Sequence, residues 1–104
     1  MLSPDDMKIA SCALGKELHS VFLSDTGTIF HCIRHEAGAW DKWEMLHPGG
    51  IFKDVTCASV EPDLHVIGVK DDGLCVHRIR DKDGKWTEFS ELPHQPMFEG
   101  FGPS

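Results

Sequence analysis

The chain carries one segment twice. A shift of 46 residues superimposes two stretches without a gap: Leu18-His19 on Leu64-His65, Asp25 and Gly27 on Asp71 and Gly73, and His31, Ile33 and Arg34 on His77, Ile79 and Arg80. Gly38 and Trp40 fall on Gly84 and Trp86, and Leu46 falls on Leu92. Where the residues differ they stay alike, as in Ile9/Val55, Val21/Ile67, Leu23/Val69 and Trp43/Phe89. A fixed period of this length marks a stacked or radial array of small units, each too small to bury its own apolar surface. Two units are too few for a ring or a solenoid, so the repeat predicts a fold completed by copies of the same chain.

Composition narrows the partners. At 104 residues this is one domain's worth of chain, short enough that self-association would add useful burial. The net charge is −7, with a pI near 5.3 and no basic stripe. That excludes the phosphate-neutralising surface a nucleic-acid binder needs, and equally an attraction to anionic membrane. No apolar run approaches the ~20 residues that span a bilayer. Residues 1–6 lack the basic and apolar regions of a secretory signal, which predicts a cytoplasmic protein. Cys12, Cys32, Cys57 and Cys75 share no repeat-equivalent positions and form no Cys-x-x-Cys pair, so they read as reduced, half-buried thiols and not as a zinc site.

Each repeat divides into four short strands rich in β-branched and aromatic residues: 9–14, 18–24, 28–34 and 40–46, then 55–60, 64–70, 74–80 and 85–92. Asp25-Thr26-Gly27, Glu36-Ala37-Gly38, Asp71-Asp72-Gly73 and Lys82-Asp83-Gly84 supply polar turn residues followed by a glycine free to take positive φ. No stretch sustains a helical period, so the prediction is an all-β chain with units at 7–52 and 53–98 and a tail at 99–104. Within the third strands both faces carry apolar residues, which suits sheets sandwiched between neighbouring sheets. Met97, Phe98 and Phe101 near the end would either fray or pack on the protein or a neighbouring subunit.

The order Asp-x-Gly, apolar-x-His, then Gly-x-Trp-x-x-aromatic resembles a blade of the lectin-type β-propellers, the fucose-binding and related bacterial multi-blade lectins. The residues that carry the resemblance are Ile29-Phe30-His31 with Gly38-Ala39-Trp40-Asp41-Lys42-Trp43, and Cys75-Val76-His77 with Gly84-Lys85-Trp86-Thr87-Glu88-Phe89. It implies two four-stranded propeller blades per chain, a ring closed by homo-oligomerisation (a trimer first, a dimer second) and shallow glycan sites between blades, without catalysis or cofactor. By position, Trp40 and Trp86 become stacking platforms. His19 and His65, with His31 and His77, become hydroxyl-binding candidates. The fucose-specific members carry Arg on the second strand and Glu on the third where this chain has His.

The residues themselves leave other roles open. Trp40 and Trp86 could fill the space between blades. The four repeated histidines could bond to backbone or to a neighbouring blade, and no tight His-x-His spacing on one strand face points to a metal. Arg34 and Arg80 suit either an ion pair with the next hairpin or a bidentate grip on a ligand. No nucleophile elbow or phosphate loop organises the Ser, His and Asp residues for catalysis. The alternative to sugar binding is a scaffold propeller whose pockets are only packing.

Overall fold

The computed structural model describes residues 8–47 and 49–93. They form eight antiparallel strands in two sheets of sequential order. The first sheet holds β1 (Lys8–Leu14), β2 (Glu17–Leu23), β3 (Ile29–Arg34) and β4 (Glu44–His47). The second holds β5 (Phe52–Val60), β6 (Asp63–Lys70), β7 (Cys75–Arg80) and β8 (Ser90–Glu91). Registers repeat with the sequence: Leu18 pairs with Arg34 and Val21 with His31, as Leu64 pairs with Arg80 and Ile67 with His77. The all-β expectation holds, with no helix among the described residues. Met97, Phe98 and Phe101 lie outside the described residues.

The inner hairpins share one turn. Gly27, Gly38, Gly73 and Gly84 all have positive φ, and each donates its N–H to the carbonyl three residues back, Ser24, His35, Lys70 and Asp81 respectively. A type I turn followed by a left-handed residue is what a short hairpin needs, and glycine takes that φ without steric cost.

The fourth strands are shorter than the sequence predicts. Trp40 and Trp86 pair with Arg34 and Arg80 only as isolated bridges, and the ladder resumes at Glu44 and Ser90, shifted by one residue. Asp41 and Thr87 each donate a backbone bond to the carbonyl of Ile33 or Ile79 before the chain leaves the ladder. The extra residue is a bulge, which bends the strand and re-aims its side chains. It occurs at the same place in both repeats.

The sheets pack through unlike faces. Call the front the face that carries the paired histidines, and the rear its opposite. The front of the first sheet (His19, Val21, Ile29 and His31) lies against the rear of the second (Val55, Leu64, Val66 and Val76), and this junction is the apolar core. β1 and β5 share the most extensive contact across it, followed by β2 and β5. The end of the connection is tied to both sheets: Phe52 donates its N–H to Gly27 O at 3.0 Å, and Asp71 donates to Ile51 O at 2.8 Å. A Cβ on Gly27 would stand 2.8 Å from Phe52 O, so glycine is required there by contact as well as by φ.

Gly68 on the rear of β6 makes room for Phe52. A Cβ there would lie 2.6 Å from the Phe52 ring and 3.1 Å from Ile29 Cδ1. Gly68→Ala is therefore expected to lower stability by about 1–3 kcal/mol through overpacking. Urea denaturation checks it, and an unchanged midpoint would contradict this packing.

Candidate functional site

Alternation on β2 and β3 puts His19 and His31 on one face, and the register sets them side by side, each across from the other's neighbour. His19 Nδ1 lies 2.9 Å from His31 Nε2, with the rings stacked at 5.2 Å between centroids. His31 Nδ1 donates to Glu44 Oε1 at 2.8 Å, and His19 Nε2 lies 3.1 Å from Glu17 Oε1. The result is a four-membered chain, Glu17–His19–His31–Glu44, whose imidazoles are buried and whose carboxylates are partly exposed. Glu17 Oε2 also faces His35 Nδ1 at 3.4 Å, and His35 Nε2 donates to Asp41 Oδ1 at 2.8 Å.

Proton counting constrains this chain. Three hydrogen bonds need three protons, and two neutral imidazoles carry two between them. Burial pushes both His19 and His31 below the ordinary imidazole value of 6.5, outweighing the upward pull of Glu17 and Glu44. With both imidazoles neutral, one of the three contacts, 2.8, 2.9 and 3.1 Å long, is left without a proton. His35, tied to Asp41 and Glu17, has its pKa raised by those acceptors.

The second sheet reaches into this network. Trp86 Nε1 donates to Glu44 Oε1 at 3.3 Å, and its ring stands edge-on to His31 at 5.2 Å. Arg78 donates to Leu46 O across the junction and to Thr87 O at 2.5 Å. Its guanidinium sits 5.3 Å from the Trp86 ring centre and 5.5 Å from that of Phe89, a cation–π clamp. Beside the network lies a cavity of about 260 Å³, lined by His31, Cys32, Ile33, Asp41, Lys42 and Glu44 of the first repeat and by Arg80 and Gly84 of the second. Arg80 makes no ion pair among the described residues, whereas Asp41 and Glu44 are already engaged by His35, His31 and Trp86.

The structure thus gathers His19, His31, Trp86 and Arg80 at the junction and leaves the other four candidates elsewhere. His65 and His77 form a second pair, 2.9 Å between Nδ1 and Nε2, on the uncovered front of the second sheet. Burial and the neighbouring His65 lower the pKa of His77. Ser90 stands where Glu44 stands in the first repeat and removes that carboxylate, and Asp63, in place of Glu17, is one methylene shorter and makes no ion pair with His65 among the described residues. Trp40 and Arg34 lie exposed on the rear of the first sheet, the Trp40 ring 54% accessible. Glu44 and Arg78 belong to the site but carry no repeat signal, because their counterparts are Ser90 and Cys32, and Glu17 is matched only by the shorter Asp63. Only the register that faces them toward the histidines reveals them.

None of the four cysteines is in a disulfide. Cys57 is pushed up to about 12 by burial, with Cys12 facing it from the first sheet. Among the described residues no group of three or more His, Cys, Asp or Glu side chains is placed to hold a metal ion, and no helix is long and apolar enough to cross a membrane. No protein-family model matches the chain, and no curated protein matches its sequence.

The histidine chain predicts a pH dependence. His19 and His31 bind protons less readily folded than unfolded, so stability falls as pH drops from 6.5 toward their lowered folded values. His35 acts oppositely: its contribution is present below 6.5 and is lost as pH rises through its raised value. Histidine NMR titration should place His19, His31 and His77 below 6.5 and His35 above. A charged His19 or His31 at about pH 7 would contradict the burial argument.

Proposed function

We propose that the chain is a non-catalytic carbohydrate-binding module, built as two blades of a β-propeller whose ring is completed by further copies, three chains as first choice and two as second. The observation that carries the reading is the polar cavity at the junction of the two repeats. It combines acceptors at Asp41 and Glu44 with donors at Lys42 and Arg80, a mixture suited to a ligand dense in hydroxyls. Buried histidines hold Glu44 and its neighbours in fixed orientation, so ligand binding costs little side-chain ordering. The cavity is small and open, which suits a single sugar residue bound weakly. Several such sites on one ring would add avidity without new contacts.

The roles divide by position. Arg80 and Lys42 contact the ligand, and Glu44 accepts from its hydroxyls. Trp86 holds Glu44 and closes the cavity against the core; its ring is engaged by Arg78 and His31, so it supports the site more than it stacks on a ligand. His19 and His31 orient Glu44 from below. Trp40, the freer of the two indoles, remains a stacking platform on the other side of the blade. Four cysteines outside any disulfide accord with a cytoplasmic setting.

The test is a glycan panel followed by calorimetry and by intrinsic tryptophan fluorescence. A binding sugar should perturb Trp86 emission, and Arg80→Ala should weaken it about tenfold, ~1.4 kcal/mol, without unfolding the chain. If no sugar gives heat or a fluorescence change, the pocket is packing and the scaffold reading takes its place.

A further inference from the structure

Two of the cysteines face each other across the junction. Cys12 pairs with His19 in the first sheet, so it lies on the front face with the covered histidines. Cys57 pairs with Val66 in the second sheet, so it lies on the rear face that closes over them. β1 and β5 carry these two residues and approach with Cα atoms within 8 Å across the junction. Sheets packed face to face ordinarily stand about 10 Å apart. Small side chains on the facing strands permit the closer approach, Ala10 and Cys12 on β1 and Cys57 and Ser59 on β5. Both thiols pack against the apolar core, and burial, reinforced by Cys12, pushes the Cys57 thiol up to about 12.

The repeat does not explain this pair. The counterpart of Cys12 is Ala58 and that of Cys57 is Ser11. The thiols stand on the two faces that meet inside the chain, and the matching positions on the two open faces carry none. The other cysteines are placed differently. Cys32 is buried and donates to Asp41 O at 2.9 Å, and Cys75 lies on the open front of the second sheet.

We propose that Cys12 and Cys57 form a reversible disulfide that ties the second sheet to the first, with a low-molecular-weight disulfide as the oxidant. A disulfide needs Cα atoms about 4.4–6.8 Å apart, a range within reach of strands packed this closely. The exchange has two steps. Cys12, as the thiolate, attacks one sulfur of the oxidant RSSR; the S–S bond of the oxidant breaks, a Cys12–SR mixed disulfide forms and RS⁻ leaves. Cys57 then passes its proton to RS⁻ and attacks Cys12 Sγ; the Cys12–SR bond breaks, the Cys12–Cys57 bond forms and the second RS⁻ leaves, to take up the proton that Cys12 released. Two cysteine thiols are oxidised and one RSSR is reduced to two RSH. Cys12 attacks first because burial holds Cys57 protonated. Both residues are half-buried and not sealed, so a small oxidant reaches them.

In a reducing cytoplasm the pair stays open and closes only when the oxidant rises. The closed bond constrains the unfolded chain over residues 12–57 and so stabilises the junction. No residue lining the polar cavity lies on β1 or β5, so the bond leaves that lining in place, and the two are measured independently.

The test is made on the wild-type chain, equilibrated with oxidised glutathione, alkylated and mapped by peptide mass spectrometry. Cys12 and Cys57 should be linked within one chain, with Cys32 and Cys75 alkylated or carrying glutathione. The thermal midpoint should rise on the order of 10 °C and return on addition of dithiothreitol. Cys12→Ala and Cys57→Ala should each abolish the rise, and if either variant fails to fold the wild-type map decides alone. Cys12 and Cys57 both recovered alkylated or glutathionylated would overturn the disulfide, and so would linkage of either to Cys32 or Cys75, or a bond found only between chains. A linked chain whose midpoint does not rise would overturn the stapling of the sheets.

Discussion

When the rear of the second sheet closes over His19, Val21, Ile29 and His31, it does three things at once. It creates the apolar core, which neither four-stranded sheet has alone. It removes water from one histidine pair and leaves the other pair open. It also brings Arg80 and Trp86 from one repeat against Glu44 and His31 from the other, so the polar cavity exists only because the sheets meet in this order. The linker enforces the order. Its backbone bonds to Gly27 and from Asp71 hold the second sheet at a set distance and angle.

The same sequence motif therefore has two environments. His19–His31 is capped by Glu17 and Glu44 and enclosed, whereas His65–His77 keeps the central 2.9 Å contact without those caps. A buried polar network is costly unless its members are bonded, and the carboxylates at the ends of the first pair meet that requirement. The second pair is half-exposed and can be served by solvent or by whatever covers that face. The carboxylate cap is lost at 44/90, where Glu becomes Ser, and shortened at 17/63, where Glu becomes Asp, and the central histidines are retained.

Much of the fold could be read from the sequence because it rests on local rules repeated in register. The glycine turns at Gly27, Gly38, Gly73 and Gly84 and the alternation along β2, β3, β6 and β7 mark the strands before any tertiary contact is considered. The fourth strands escaped that reading: Trp40–Leu46 and Lys85–Leu92 look continuous, but a bulge after each tryptophan breaks the ladder, and a bulge has no reliable signature in side-chain pattern. The site was half legible. Repetition singled out the histidines, Trp86 and Arg80. Repetition was blind to Glu44 and Arg78, whose importance comes from the asymmetry of a two-unit chain, in which only one front face is covered.

The most direct test of the account is an experimental structure of the chain in its assembled state. The account predicts that the rotation relating the two sheets of one chain also relates the second sheet of one copy to the first sheet of the next. A two-fold arrangement that pairs the rear face of one copy with the rear face of another would contradict it, and so would a lone chain with Ile9 and Trp43 in solvent.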